Sequence, residues 1–205
     1  MDGQATLETQ SFRARGNNRR EMVLDAAAYR FCRQGYAATT MRDIASDAGM
    51  LAGSLYYHFK SKTALFLAVH EEGVRRIAEA VDHAVLTANQ HDPWQCLENG
   101  LSAHLQSLLD GSDYAQVVIR DLPAEEASLR DQLIELRDDY ELRFRKLVDA
   151  LPLNNPDDAG WIRLMLLGAA NWSKTWFRPN GASPAEIAAH FVRLLRNGET
   201  VGTKS

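Results

Sequence analysis

Helical periodicity runs almost without interruption through this chain, and no stretch alternates apolar and polar residues over the length of a strand. Such a sequence must bury its stripes helix against helix, so the expected fold class is all-α. Segment 19–34 carries Val23, Ala27 and Phe31 at i, i+4 and i+8, with Asn17 or Asn18 as its cap and Gly35 as its end. Segment 40–48 starts at Thr40 and stops at Gly49, and a short piece follows over 51–59. Ser61 caps a long helix to about Thr87. After the break at His91-Asp92-Pro93, helices are expected over about 94–109, 114–121, 124–151, 157–177 and 184–197. The last has Ser183 as its cap, Pro184 at its first position and Gly198 as its stop. That gives about nine helices.

Charge divides this helical chain unevenly. Residues 11–62 hold nine Lys and Arg against four Asp and Glu, a net of +5, whereas residues 63–205 hold 14 against 21, a net of −7. A basic end on an acidic body suits a polyanion-binding module joined to something else. The 205 residues leave room for one small and one larger domain. Cys32 and Cys96 are too few for a disulfide framework and are expected to act as small hydrophobes in a reducing cytosol. No run of 18 apolar residues occurs, so no transmembrane helix and no membrane partner are expected. The polar stretch 1–18 lacks the apolar core of a secretory signal and reads as a flexible arm.

Three short helices within 19–59, the last two joined by Ala48-Gly49-Met50, form the arrangement that lays a recognition helix in the major groove. Counted at 100° per residue, Leu51, Leu55 and Phe59 share one side of the third helix and should pack on Val23, Phe31, Ile44 and Ala45. The opposite side offers Ala52, Gly53, Ser54, Tyr56 and Tyr57, with His58 toward an edge. Small residues there permit close approach to bases, and Tyr and His donors suit phosphate oxygens and thymine methyls. Thr39, Thr40 and Arg42 at the second helix and Lys60 and Lys62 before the fourth add phosphate-directed groups. The alternative for Thr39, Thr40, Arg42 and Lys62 is ordinary capping or a solvated face.

The run from Arg19 to Leu65 resembles the N-terminal domain of the TetR family of repressors. The matching residues are Ala26-Ala27, Phe31, Gly35-Tyr36, Thr39-Thr40-Met41-Arg42-Asp43-Ile44-Ala45, Ala48-Gly49, and Gly53-Ser54-Leu55-Tyr56-Tyr57-His58-Phe59 with Ser61-Lys62 and Leu65. Three positions depart from that pattern. Leu51 stands where the family has Ser or Thr, Met50 where Val is usual, and Arg30 where an apolar residue is usual. The resemblance implies a three-helix DNA-binding domain over 19–62, a helical effector-binding and dimerisation domain over 63–198 and a tail over 199–205. It also implies a homodimer through the helices at 157–177 and 184–197, on a roughly palindromic operator. Gly168-Ala169-Ala170 would permit close helix approach there; an internal core is the alternative.

The family diverges in its C-terminal half, where a pocket for a small-molecule effector is expected. Candidate lining residues are Trp94, Leu97, Leu101, Leu105, Val118, Leu122, Tyr140 and Phe144, with His104 and Arg120 as polar anchors; plain core is the alternative for each. Asn171-Trp172-Ser173-Lys174-Thr175-Trp176-Phe177-Arg178-Pro179 resembles a stretch of TetR-type repressors that control acyl-CoA and steroid-ring breakdown. That resemblance implies a CoA thioester as effector. Trp172 or Trp176 would stack on adenine, and Lys174, Arg178 and Arg163 would meet phosphates. The alternative for the tryptophans is that they anchor only a dimer face.

No catalytic motif argues for an enzyme: there is no Gly-x-Ser-x-Gly, no phosphate-cradling glycine loop and no Cys/His set at metal spacing. No cofactor and no metal are expected. The competing function is a dimeric helical scaffold that binds protein and not specific DNA.

Overall fold

The computed structural model describes the backbone at residues 3–119 and 127–201, and the side chains at 18–119 and 129–199. Arg120, Leu122, Pro123 and the expected first turn of the 124–151 helix lie outside the described backbone or side chains. Nine α-helices and one 3-10 turn make up the described residues, with no strand among them. They are α1 (Gly3–Ala38), α2 (Met41–Asp47), α3 (Ala52–His58), α4 (Lys62–Leu86), α5 (Pro93–Leu109), α6 (Asp113–Val118), α7 (Ala127–Asp149), α8 (Ala159–Trp176) and α9 (Pro184–Val201).

Local chemistry sets most of the boundaries. The Ser61, Asp92 and Ser112 side chains accept from backbone N–H groups in the first turns of α4, α5 and α6. Ser183 and Glu186 close the capping box of α9. Two boundaries differ from expectation. The backbone of α1 is helical from Gly3, so the first helix runs through the stretch expected as an arm, and neither Asn17 nor Asn18 starts it. Its regular path breaks at Gly35, whose φ of 78° only glycine adopts without strain. At the other end α9 passes through Gly198 to Val201, because a glycine inside a helix weakens it without having to end it.

The helices enclose two cores. One gathers Val23, Ala27 and Phe31 of α1, Met41 and Ile44 of α2, Leu55 of α3 and Leu65, Phe66 and Val69 of α4. It continues without interruption into Tyr114 and Val117 of α6 and Leu129 and Leu133 of α7. The second gathers Val81, Leu97, Leu101, Leu105, Phe144, Val148, Ile162, Leu166 and Val192. α4, about 37 Å long at 1.5 Å per residue, runs through both. The first three helices and the start of α4 form a head, and α5, α8 and α9 form the far end of a body.

Candidate DNA interface and effector site

In the head, α2 and α3 are joined by a tight turn. Gly49 takes φ 64°, and the Met50 N–H reaches back to the Ala45 carbonyl at 2.9 Å, closing the open end of α2. Arg30 of α1 grips Asp47 of α2 through two hydrogen bonds, one of them 2.7 Å, and the guanidinium holds the Asp47 carboxyl below the usual carboxylate range. Arg30, one of the three residues that depart from the family pattern, is thus a clamp between two helices of the head.

Leu55 is the residue of α3 that is buried. Gly53, Ser54, Tyr56, Tyr57 and His58 all face outward, Tyr57 with 80% of its surface exposed, and Ala52 is half-buried. The Tyr57 and His58 rings meet edge to face, with centroids 5.7 Å apart. A Cβ placed on Gly53 would touch nothing within 4 Å, so this end of the helix is open to a bulky partner. Arg42 is exposed one residue into α2. Thr40 caps α2 and exchanges bonds with Asp43, its hydroxyl donating to Asp43 Oδ2 at 2.6 Å.

One expectation for the head needs correction, and two other residues make the intramolecular bonds that were the alternative for them. Leu51 does not join the apolar side of α3: it is 80% exposed. It is the N-cap, with an extended backbone at φ −73°, ψ 143°, so a helical angle counted from it is wrong, and its side chain makes no cap bond. Thr39 is buried and its hydroxyl donates to the Gly35 carbonyl at 2.7 Å, closing the end of α1. The Lys62 ammonium donates to the Tyr36 carbonyl at 2.9 Å and lies 4.3 Å from the Tyr36 ring centroid, so it braces α4 against the end of α1.

In the body the expected effector residues fall into two sets. Trp94, Leu101 and Phe144 are packed in the second core, and Val118 is half-buried at the end of α6. His104, 3% exposed, meets the Phe144 ring edge to face with centroids 5.5 Å apart, and both its ring nitrogens are engaged. Nδ1 is 2.6 Å from the Tyr140 hydroxyl and Nε2 is 3.2 Å from Asn171 Oδ1. An amide oxygen only accepts, so Nε2–H donates to Asn171 and Nδ1 accepts from Tyr140. Burial drives the His104 pKa down to about 4 and pushes that of Tyr140 up, keeping both neutral. Trp172, Trp176 and Arg178 form the other set, on the surface at the end of α8. Asn171 bridges the two sets; sequence reasoning missed its part because a contact spanning 67 residues leaves no periodic trace.

α8 also carries an outward apolar stripe of Trp161, Leu164, Met165 and Trp172, between 52% and 71% exposed. Beside it runs an apolar groove lined by Met165, Ala169, Phe191, Leu194 and Leu195. Gly168 lies on the same stripe, with open space where a Cβ would be. No group of His, Cys, Asp and Glu among the described residues has the geometry to hold a metal ion.

A head whose second and third helices enclose a glycine turn, with an outward polar and aromatic third helix, defines a helix-turn-helix DNA-binding regulator. Residues 23–69 match the family model described as bacterial regulatory proteins, tetR family, and residues 90–199 match the tetracyclin repressor-like C-terminal domain. The chain belongs to the TetR family. It is 30% identical over 202 residues to the HTH-type transcriptional repressor KstR2 of Mycobacterium tuberculosis, covering 90% of this chain and 94% of that one. Among solved structures, superantigen PfiT superposes with a TM-score of 0.75 at 28% identity, over 86% of this chain and 95% of that one. AibR in complex with isovaleryl coenzyme A and operator DNA superposes with a TM-score of 0.73 at 23% identity, over 86% and 97%. The family model and the KstR2 relative are named as transcriptional regulators, not enzymes. Among the described residues no helix is long and apolar enough to cross a membrane.

Proposed function

We propose that this protein is a repressor that binds a palindromic operator as a homodimer and leaves it when a CoA thioester enters the body. The observation that carries the DNA part is α3: one residue anchors it inward and five successive surface positions other than that anchor, Gly53, Ser54, Tyr56, Tyr57 and His58, face out. Thr40 and Arg42 flank them on α2, where hydroxyl and guanidinium suit phosphate oxygens. The 19–62 head and the 63–198 body are the functional division, although the first core joins them physically.

The apolar stripe of α8 and the groove against α9 support a second copy as the partner. Four large hydrophobics on one helix face are costly to leave in water, and a two-fold pairing of α8 and α9 covers them. Effector chemistry is supported by the acidic body's local cations, Lys174 and Arg178, beside Trp172 and Trp176. AibR, which shares this fold, is seen with isovaleryl coenzyme A and operator DNA. In this chain an acyl group entering the second core must displace or recruit the His104–Tyr140–Asn171 network. Trp94, Leu101, Val118 and Phe144 would form its apolar surroundings.

The test is selection of duplexes from a random pool, followed by anisotropy titrations of the best sequence with and without isovaleryl-CoA. A palindromic site released by the thioester supports the whole reading. Sequence-specific binding with no response across a series of acyl chain lengths discards the effector. Absence of any sequence preference at low salt discards the regulator.

A further inference from the structure

We propose that Asn171 selects the effector by a hydrogen bond to the carbonyl oxygen of its acyl group, with His104 and Tyr140 as the residues that position it. The inference rests on the reading of a CoA thioester as effector, and it names the atom of that thioester which the body recognises.

The polarity of the buried network fixes the direction of the Asn171 amide. His104 Nδ1, 2.6 Å from the Tyr140 hydroxyl, accepts the hydroxyl proton, which leaves the ring proton on Nε2. Nε2–H donates to Asn171 Oδ1 at 3.2 Å, so the amide oxygen is turned inward. The amide nitrogen stands on the other arm, with two N–H donors that the network does not use. An asparagine left to water samples a broad range about its last torsion, whereas this one is held. Burial keeps His104 near pKa 4, so at neutral pH the ring carries one proton and Nδ1 stays an acceptor.

Packing alone does not call for this arrangement. Asn171 is exposed, and water would satisfy it without a protein partner. His104 stacks on the Tyr140 ring, with centroids 5.7 Å apart, and meets Phe144 edge to face. A leucine there would fill the core with no polar atom to satisfy. The chain instead joins a buried ring to a surface amide 67 residues away, and what the amide gains is orientation. Lys174 lies one turn further along the same face of α8. Its ammonium donates to the Ile119 carbonyl at 2.6 Å, so that face turns toward the body. A pair of fixed N–H donors beside an ammonium suits a carbonyl oxygen on an anionic carrier, which is the chemistry of an acyl-CoA.

The experiment compares two probes by calorimetric titration of the whole chain: isovaleryl-CoA, and S-isopentyl-CoA, the thioether in which a methylene replaces the carbonyl. The wild type prefers the thioester by about 10-fold, the effect of one hydrogen bond. Asn171→Asp keeps an oxygen for Nε2–H and puts a second oxygen where the donors were. Its charge weakens both probes through the CoA phosphates, but the preference between them disappears. Tyr140→Phe removes the proton that makes Nδ1 the acceptor. The preference then falls toward that of Asn171→Asp, and the nitrogen NMR shifts of the His104 ring show both tautomers in place of Nε2–H alone. A wild type that binds both probes equally, or a preference that persists in Asn171→Asp, overturns the proposal and leaves the thioester reading standing. Tyr140→Phe with the wild-type preference and the wild-type ring tautomer overturns the positioning role. A wild type that binds neither probe overturns the thioester reading and this proposal with it.

Discussion

Leu51 leaves the first helical position of the recognition helix without a side-chain cap, and the loss is recoverable. Leu51→Ser gives the first-turn N–H groups an acceptor and removes an exposed hydrophobe, so it should raise stability by about 1 kcal/mol in urea unfolding. An unchanged midpoint would mean that water already satisfies that turn. The two buried histidines make a prediction about pH. His70 and His104 are both held near pKa 4 by burial, against an ordinary value of 6.5. Above 6.5 neither ring takes a proton in the folded or the unfolded chain. Below it the unfolded chain binds protons that the fold refuses until about pH 4, so stability falls as pH drops through that window. Each ring should cost about 2 kcal/mol between pH 7 and pH 5, and His104→Gln should flatten the dependence even though it lowers stability at pH 7. The outward face of α3 was legible in sequence because Leu55 and Phe59 fix its phase. Leu51 was misread because it precedes a helix, where periodicity does not yet apply. His70 was not singled out at all, since the Val118 backbone that it hydrogen-bonds lies in a distant segment.

The starts of α4, α5, α6 and α9 could be placed from sequence to within a residue or two, because Ser61, Asp92, Ser112 and Ser183 act on their own first turns. Helix ends carry less information: Gly35 and Gly49 reach positive φ and end helices, whereas Gly198 lies within one. What sequence alone left open was the environment of each face. The stripe of Trp161, Leu164, Met165 and Trp172 on α8 satisfies the same periodicity whether it meets its own chain or another one. The dimer reading predicts that Met165→Glu, which places a charge in the middle of the stripe and the groove, lowers the sedimentation coefficient to that of a monomer. The helical signal in circular dichroism should survive, because Met165 is 56% exposed and the change touches no core. A variant that sediments as the wild type does would move the partner elsewhere.

At the scale of the molecule, the resemblance in the head made the order of domains legible, but not how closely they are joined. The boundary expected at residue 62 passes through a continuous core, in which Phe31 and Leu55 of the head belong to one buried cluster with Tyr114, Leu129 and Leu133 of the body. Head and body should then unfold together. All four tryptophans, Trp94, Trp161, Trp172 and Trp176, lie in the body, so their fluorescence is blind to the head unless the two are coupled. Leu55 is wholly buried, and Leu55→Ala should cost about 2–5 kcal/mol through lost burial and the cavity left behind. If the shared core enforces one transition, that variant lowers the tryptophan-fluorescence midpoint as much as the circular-dichroism midpoint at fixed protein concentration. If the head instead melts by itself, circular dichroism shows an early phase and fluorescence keeps the wild-type midpoint.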